Sequence, residues 1–300
     1  MSATLAGLVT GAWRRHFAVR LDDGNTIRCV LRGRSLGVAC GDRVQVTLTA
    51  AAEGAIEAIE ARGTLLFRSD AHRQKLLAAN VTQVIGIVAP VPPYDDELVQ
   101  RWIIAAESND CRFALIANKR DLPEFAALAP RLDACRALGY AVLPLCAKGT
   151  PSELAPVRDL VAGQRSVLVG QSGMGKSTLI NALLPGSGAR VGEVSGALRA
   201  GRHTTSETTL YALGPDSWII DSPGMKEFGL AHLATTAIAQ GFVDLRPFVG
   251  QCRFRDCRHG SEPGCAVQDA VARGEVKPWR VALLQRLLGE SETRARSWSR

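Results

Sequence analysis

Three hundred residues with 46% hydrophobic and 22% charged content describe a globular chain long enough for two or three domains. The longest apolar run, near Val81 to Val91, is too short to cross a bilayer, and no basic region leads into an apolar signal core at the N-terminus, so a membrane protein is excluded and the cytoplasm is expected. The formal net charge of +7 is uneven: residues 1–62 carry 8 Lys+Arg against 6 Asp+Glu, residues 63–245 carry 17 against 17, and residues 246–300 carry 11 against 6. A neutral middle between basic ends suggests contact with a polyanion, nucleic acid before an anionic membrane surface; ordinary solvated surface charge is the plainer account of the same numbers. Of eight cysteines, five are scattered and Cys252, Cys257 and Cys265 cluster beside His259. A disulfide framework is not expected in a chain of this length without a signal peptide.

Residues 1–62 read as short β segments, Ala6–Val9, His16–Arg20, Thr26–Leu31 and Val44–Thr49, with a hairpin turn at Asp22-Asp23-Gly24-Asn25. Such a run suits a small barrel of the OB-fold type, whose face and loops often bind nucleic acid. Arg14, Arg15, Arg28, Arg32, Arg34 and Arg43, with Trp13, His16 and Phe17 between them, form one candidate face; the aromatics fit a barrel core equally well. From residue 63 to about 240 strand patterns alternate with helix patterns: Val81–Ala89, amphipathic Asp95–Ser108, Phe113–Ala117, a helix-like Phe125–Leu138 and Ala141–Leu145. That alternation predicts an α/β unit.

Asn118-Lys119-Arg120-Asp121 follows one of those strands, at the end where open α/β sheets bind ligands. A carboxylate at Asp121 can accept both N1–H and N2–H of guanine, a pairing that adenine cannot return, which selects GTP over ATP. Asn118 would tie neighbouring loops, the Lys119 stem would pack on the base, and Cys146-Ala147-Lys148 would offer the Ala147 N–H to guanine O6 with Lys148 covering the other face. Next, Gly170-Gln171-Ser172-Gly173-Met174-Gly175-Lys176-Ser177 lies between the apolar Val167–Val169 and a helix-like stretch opening at Thr178. It fits G-x-x-x-x-G-K-[ST] in its required strand-to-helix context. Backbone N–H groups close round phosphates, Lys176 reaches the β/γ-phosphates and Ser177 reaches Mg²⁺. Thr204 or Thr205, in Gly201-Arg202-His203-Thr204-Thr205, supplies a hydroxyl to the ion. Asp221, in Asp221-Ser222-Pro223-Gly224, reaches it through water, and the Gly224 N–H contacts the γ-phosphate.

The base-reading motif precedes the phosphate loop, which inverts the usual GTPase order and cuts its cycle before the fourth strand. The chain thus resembles the circularly permuted GTPases, and with a barrel in front and a Cys/His cluster behind it resembles the ribosome small-subunit-dependent GTPase A family. The resemblance is carried further by Gly41-Asp42-Arg43-Val44, Leu77-Ala78-Ala79-Asn80-Val81 and Cys252-Arg253-Phe254-Arg255-Asp256-Cys257-Arg258-His259. It implies a factor that binds the small ribosomal subunit and its rRNA late in maturation, hydrolyses GTP faster on the subunit, and helps other assembly factors leave. Two positions depart from common GTPase patterns: Cys146 stands where serine is common, and Met225 where many GTPases have a water-orienting glutamine, which leaves His203 as the nearest candidate to position the water.

Cys252-x₄-Cys257-x-His259-x₅-Cys265 supplies a complete tetrahedral set with no open position, as a structural zinc requires. The expected organisation is therefore an OB-like RNA-binding domain (1–62), a permuted P-loop GTPase domain (63–240) and a zinc-binding domain with a helical tail near Val281–Leu288 (241–300), acting as a monomer. Three other readings stay open: a permuted GTPase of large-subunit assembly, a P-loop kinase of a small metabolite, against which Asp121 argues, and a nucleic-acid-binding module with a structural nucleotide.

Overall fold

The computed structural model describes residues 4–13, 15–32, 37–69, 74–186, 208–221, 230 and 233–298, excepting the side chains of 68, 69, 74, 75 and 294–298. Thr204, Thr205, His203 and Gly224 lie outside the described residues.

Five strands open the chain: β1 (Thr4–Trp13), β2 (His16–Leu21), β3 (Thr26–Leu31), β4 (Arg43–Ala50) and β5 (Glu53–Ile59). They pair in the ring β1-β2-β3-β5-β4 and back to β1, so the sheet closes on itself. Period-two alternation sends Ile27 and Cys29 inward and Arg28 and Val30 outward on β3. Phe17 joins that interior beside Val19, Val44 and Ile56. It therefore cannot stack on a ligand; of the other residues of the candidate face, Trp13 and His16 are half-buried, Arg15 and Arg28 are exposed, and Arg14 and Arg34 lie outside the described residues. Of its arginines, Arg43 is held in a two-pronged pair by Asp22 (2.6 and 2.9 Å) and Arg32 by Glu57 (2.8 Å). β5 is hard to read as a strand because Glu53, Gly54, Ala55, Glu57 and Ala58 outnumber its two β-branched residues, Ile56 and Ile59.

A hairpin of β6 (Leu65–Ser69) and β7 (Gln74–Ala79) leads into β8 (Gln83–Val88), α1 (Asp96–Glu107), β9 (Arg112–Ala117), a 3-10 turn over Pro123–Leu128, α2 (Ala129–Ala137), β10 (Ala141–Pro144), α3 (Ala155–Val161), β11 (Arg165–Val169), α4 (Lys176–Leu183), β12 (Thr208–Gly214) and β13 (Ser217–Asp221). The chain ends with α5 (Thr235–Gln240), α6 (Ala266–Ala272) and α7 (Pro278–Trp298). The sheet order β10-β9-β8-β11-β13-β12 is parallel except for β12, and all six residues of β8 are buried, as expected of an interior strand covered on both faces. The permutation is plain in space: β8, early in sequence, sits between β9 and the phosphate-loop strand β11. No helix of the described residues is long and apolar enough to cross a membrane.

The three parts are joined by named contacts. Gly11 and Ala12 of β1 pair with Thr209 and Thr208 of β12, which makes the barrel and the α/β sheet one eleven-stranded sheet. Asp42 is fully buried and accepts from Arg62 Nε and Nη2 at 2.7 Å each and from the Ala39 N–H at 2.7 Å. Asn80 donates to the Gly41 carbonyl (3.0 Å) and accepts from the Gly63 N–H (2.9 Å). At Gly41, φ is +93° and a Cβ would stand 2.2 Å from the Ala79 carbonyl oxygen, so no other residue fits. At the far end, the buried Arg280 of α7 grips Asp244 through two nitrogens (2.8 and 2.6 Å), reaches Gln100 of α1 and lies over the Phe242 ring. Arg101 with Glu290 and Arg286 with Glu97 repeat the α1–α7 link nearer the surface.

Removing the Arg62 guanidinium leaves a buried carboxylate without its charged partner. Arg62→Ala should destabilise the protein by about 2 kcal/mol, discounted for the partial exposure of the arginine. Urea unfolding checks this, and an unchanged midpoint would contradict it.

Candidate nucleotide site and metal centre

The loop between β11 and α4 turns on Gly173 (φ +82°) and Gly175 (φ +100°), both left-handed. A Cβ on Gly170 would meet the Ile87 carbonyl oxygen at 2.6 Å, and one on Gly175 would meet Asn118 Nδ2 at 2.2 Å. These glycines thus let β8 and the base loop press against the phosphate loop. Lys176, mostly buried, turns its ammonium onto the carbonyls of Gly170 (2.6 Å) and Gln171 (3.2 Å). Met174 is fully buried, whereas Ser172 and Gly173 are exposed and Gln171, Ser177 and Thr178 are half-buried.

Asn118 is 3% exposed and holds three loops together. Its Nδ2 donates to the Met174 carbonyl (2.9 Å), and its Oδ1 accepts from the Ala147 N–H (2.9 Å). That last bond differs from expectation: the N–H assigned to guanine O6 is engaged by Asn118, and a base would have to share or displace it. Lys119 is left-handed (φ +62°) and donates to the Val91 carbonyl at 2.5 Å, while Lys148 is exposed. Asp121 is exposed and its carboxyl is held below the usual range, first by the Cys146 thiol hydrogen-bonded to it, then by its own backbone N–H and by the Lys148 and Lys119 ammonium groups. It is therefore an ionised, acceptor-only group. Cys146 thus orients Asp121 by its side chain, a role beyond that of its neighbour's backbone N–H and one that the sequence pattern does not announce. Arg120 and Glu153 (3.0 Å) bridge the two base loops, and Glu153 also accepts from the Thr150 N–H (2.8 Å).

Asp221 ends β13 opposite Leu168 of β11, which sets it beside the phosphate loop. Its Oδ1 is buried with no hydrogen-bond partner among the described residues. Burial raises the carboxyl to about 6, partly offset by Lys176. A carboxylate and a serine hydroxyl at a phosphate site fit the oxygen donors that Mg²⁺ takes.

Cys252, Cys257, His259 and Cys265 bring their ligand atoms within 4.8 Å of one another. Cys252 Sγ lies 3.8 Å from Cys265 Sγ, and His259 Nδ1 lies 3.5 and 3.6 Å from those two sulfurs. Bonds of about 2.3 Å to sulfur and about 2.0 Å to nitrogen, set tetrahedrally, require edges of roughly 3.8 and 3.5 Å, so the four groups fit one zinc ion. The His259 carbonyl accepts from Gln268 of α6 and Gln285 of α7, both at 2.6 Å, which orients the ligand loop from outside.

The Asp221 pKa implies a sign for stability. The folded chain keeps that proton where the unfolded chain, at the ordinary 3.8, has lost it, so burying the ionised group costs nothing at low pH and most above about 6. Asp221→Asn should therefore stabilise the nucleotide- and Mg²⁺-free protein by about 2 kcal/mol at pH 7.5, with a smaller gain at pH 5. Thermal unfolding at both pH values checks it, and an equal gain at both would refute the buried-carboxylate account.

The family model described as RsgA GTPase matches residues 59–231, more than half of the chain. The "Small ribosomal subunit biogenesis GTPase RsgA" of Nitrosospira multiformis is 46% identical over 97% of this chain and 93% of its own, and that of Nitrosomonas europaea is 44% identical over 95% and 91%. Among solved structures, YjeQ from Thermotoga maritima superposes with a TM-score of 0.72 at 26% identity, covering 96% of this chain and 99% of that one. YloQ, described as a circularly permuted GTPase, shares the fold with a TM-score of 0.68 at 22% identity, covering 97% and 96%. With the inverted motif order and the barrel in front, these matches show that the chain belongs to the RsgA GTPase family and is a GTP hydrolase.

Proposed function

We propose that this GTPase binds the small ribosomal subunit late in maturation and hydrolyses GTP to GDP and phosphate, faster on the subunit than alone. The observation that carries the reading is the pair of base loops fastened to the phosphate loop by Asn118, with the ionised Asp121 carboxylate exposed at their mouth. Such a site accepts from both guanine donors and offers adenine nothing. The names of the relatives supply the particle. In this reading residues 1–62 contact rRNA, 63–240 hydrolyse GTP and 241–300 dock on the subunit.

Within the site, Asn118, Lys119, Asp121, Cys146, Ala147 and Lys148 hold the base, and Gly170 to Gly175 wrap the phosphates with their N–H groups. Lys176 moves its ammonium from the loop carbonyls to the β/γ-phosphates, and Thr178 continues the helix whose N-terminus faces them. Ser177 and Thr204 or Thr205 would hold Mg²⁺, with the unpartnered Asp221 oxygen reaching it through water. The ion would offset charge that builds on the β/γ-oxygens. Gly224 donates to the γ-phosphate and His203 orients the attacking water. Cys252, Cys257, His259 and Cys265 would hold one structural Zn²⁺, supplying folding free energy to the ligand segment from Cys252 to Cys265, in which only His259 and Cys265 are buried.

Replacing Asp121 by Asn turns one acceptor into a donor, so GDP affinity should fall on the order of 10²-fold while xanthosine diphosphate gains. Competition binding decides it, and unchanged GDP affinity would defeat the base assignment. Cys257→Ser should release zinc and weaken cosedimentation with isolated small subunits, yet spare GDP binding; pelleting of the unmodified protein with large subunits instead would overturn the choice of particle.

A further inference from the structure

Five large apolar side chains stay exposed among the described residues: Val30, Leu48, Val91, Phe254 and Trp279. Only Phe254 and Trp279 are aromatic, and both lie in the basic C-terminal segment rather than on the barrel. The cation beside Trp279 is taken: Arg280, 5.2 Å from its ring, is committed to Asp244 and Gln100. Phe254 is different. It is 43% exposed, its ring lies 5.5 Å from the Arg253 guanidinium, and Arg255 follows it.

Neither Arg253 nor Arg255 has a carboxylate partner among the described residues, although Arg246, Arg258, Arg273, Arg280 and Arg286 are each ion-paired. Arg253, Arg255 and Asp256 are all exposed. The backbone beneath is fixed. The Cys257 N–H donates to the Phe254 carbonyl (3.3 Å), which closes a four-residue turn, and the Arg253 N–H donates to the Gly264 carbonyl (2.9 Å). Both ends of the segment are cysteines of the metal cluster, Cys252 and Cys257. An aromatic ring on a turn held by these two backbone hydrogen bonds and flanked by two candidate metal ligands, set between two cations without carboxylate partners, loses little conformational freedom when something lies on it.

We propose that Phe254 is a stacking platform for an unpaired RNA base, with Arg253 and Arg255 taking the phosphates on either side. This rests on the subunit reading for its source of RNA and deepens it by assigning the contact to the metal knuckle rather than to barrel aromatics. A π face recognises any base, whereas duplex RNA keeps its bases stacked and offers none, so the platform selects single-stranded or looped segments. Flanking arginines add a salt-dependent, sequence-independent attraction.

The test uses the full-length, zinc-loaded protein and labelled 12-mer oligoadenylate and oligouridylate, with a 12-base-pair RNA duplex for comparison. Phe254→Ala should weaken binding of both single strands about tenfold and leave duplex binding unchanged. Phe254→Leu, which keeps apolar bulk without the π face, should lose nearly as much, and Phe254→Trp should bind at least as well as the parent. Unchanged zinc content and thermal midpoint in each variant establish that the turn is intact. Full affinity in Phe254→Ala or Phe254→Leu would overturn the proposal. So would loss of small-subunit binding with oligonucleotide binding untouched, because the ring would then sit in a protein socket. If the unmodified protein fails to pellet with small subunits while the oligonucleotide arm behaves as expected, the subunit reading falls and the stacking platform stands.

Discussion

The buried amide of Asn118 is the joint on which the nucleotide site depends. It ties a loop at residue 118 to one at 147 and to the phosphate loop at 174, with Gly175 cleared of any side chain so that the amide fits. A circular cut alters which segments are neighbours in sequence, yet it cannot alter this three-way contact without losing the register between base and phosphates. The parallel strands β9, β8 and β11 serve the joint by bringing their C-terminal ends to one side of the sheet.

Much of this arrangement was legible in the sequence because the phosphate loop, the base loop and the zinc cluster are short motifs whose residues lie within a turn or two of each other. Their chemistry dictates both residue type and spacing. What was not legible depends on distant partners. β6 and β7 lack alternation strong enough to separate a hairpin from a charged loop, and α5 lies within a stretch that reads as a plain connection. The helix-like pattern from Phe125 to Leu138 divides into a 3-10 turn and α2, with Pro130 in the first turn of the latter. Phe17 shows the limit most clearly. Arg15 and His16 precede it and Ala18 and Val19 follow; alternation puts it on one face of β2 with Val19 and Leu21, and closure of the ring by β1 and β4 makes that face the interior.

Net charge is a similarly incomplete guide. The C-terminal segment has five more cations than anions, but most of the described arginines there are spent on fastening α7 and its neighbours to α1 or to one another. Arg280 is a structural bolt that happens to be charged, and burying it works only because Asp244 and Gln100 satisfy its donors. Where a cation is left over matters more than how many there are.

The pairing of β1 with β12 carries a consequence for how the chain assembles. The barrel ring needs only residues 4–59 and can close soon after they leave the ribosome that makes them, but the strand that joins it to the α/β sheet arrives about 150 residues later in synthesis. Contacts of such sequence separation form late, because the loop they close must first be ordered. The ring therefore leaves the end of β1 at Gly11 and Ala12, beyond its pairing with β4, for β12 to occupy when β13 and β12 arrive. Once they do, the far edge of the eleven-stranded sheet is β10, which is four residues long and ends in Pro144, a poor template for another strand. The chain thus completes its large sheet when β12 docks on the N-terminal strand, and leaves that sheet little edge for a neighbour to extend.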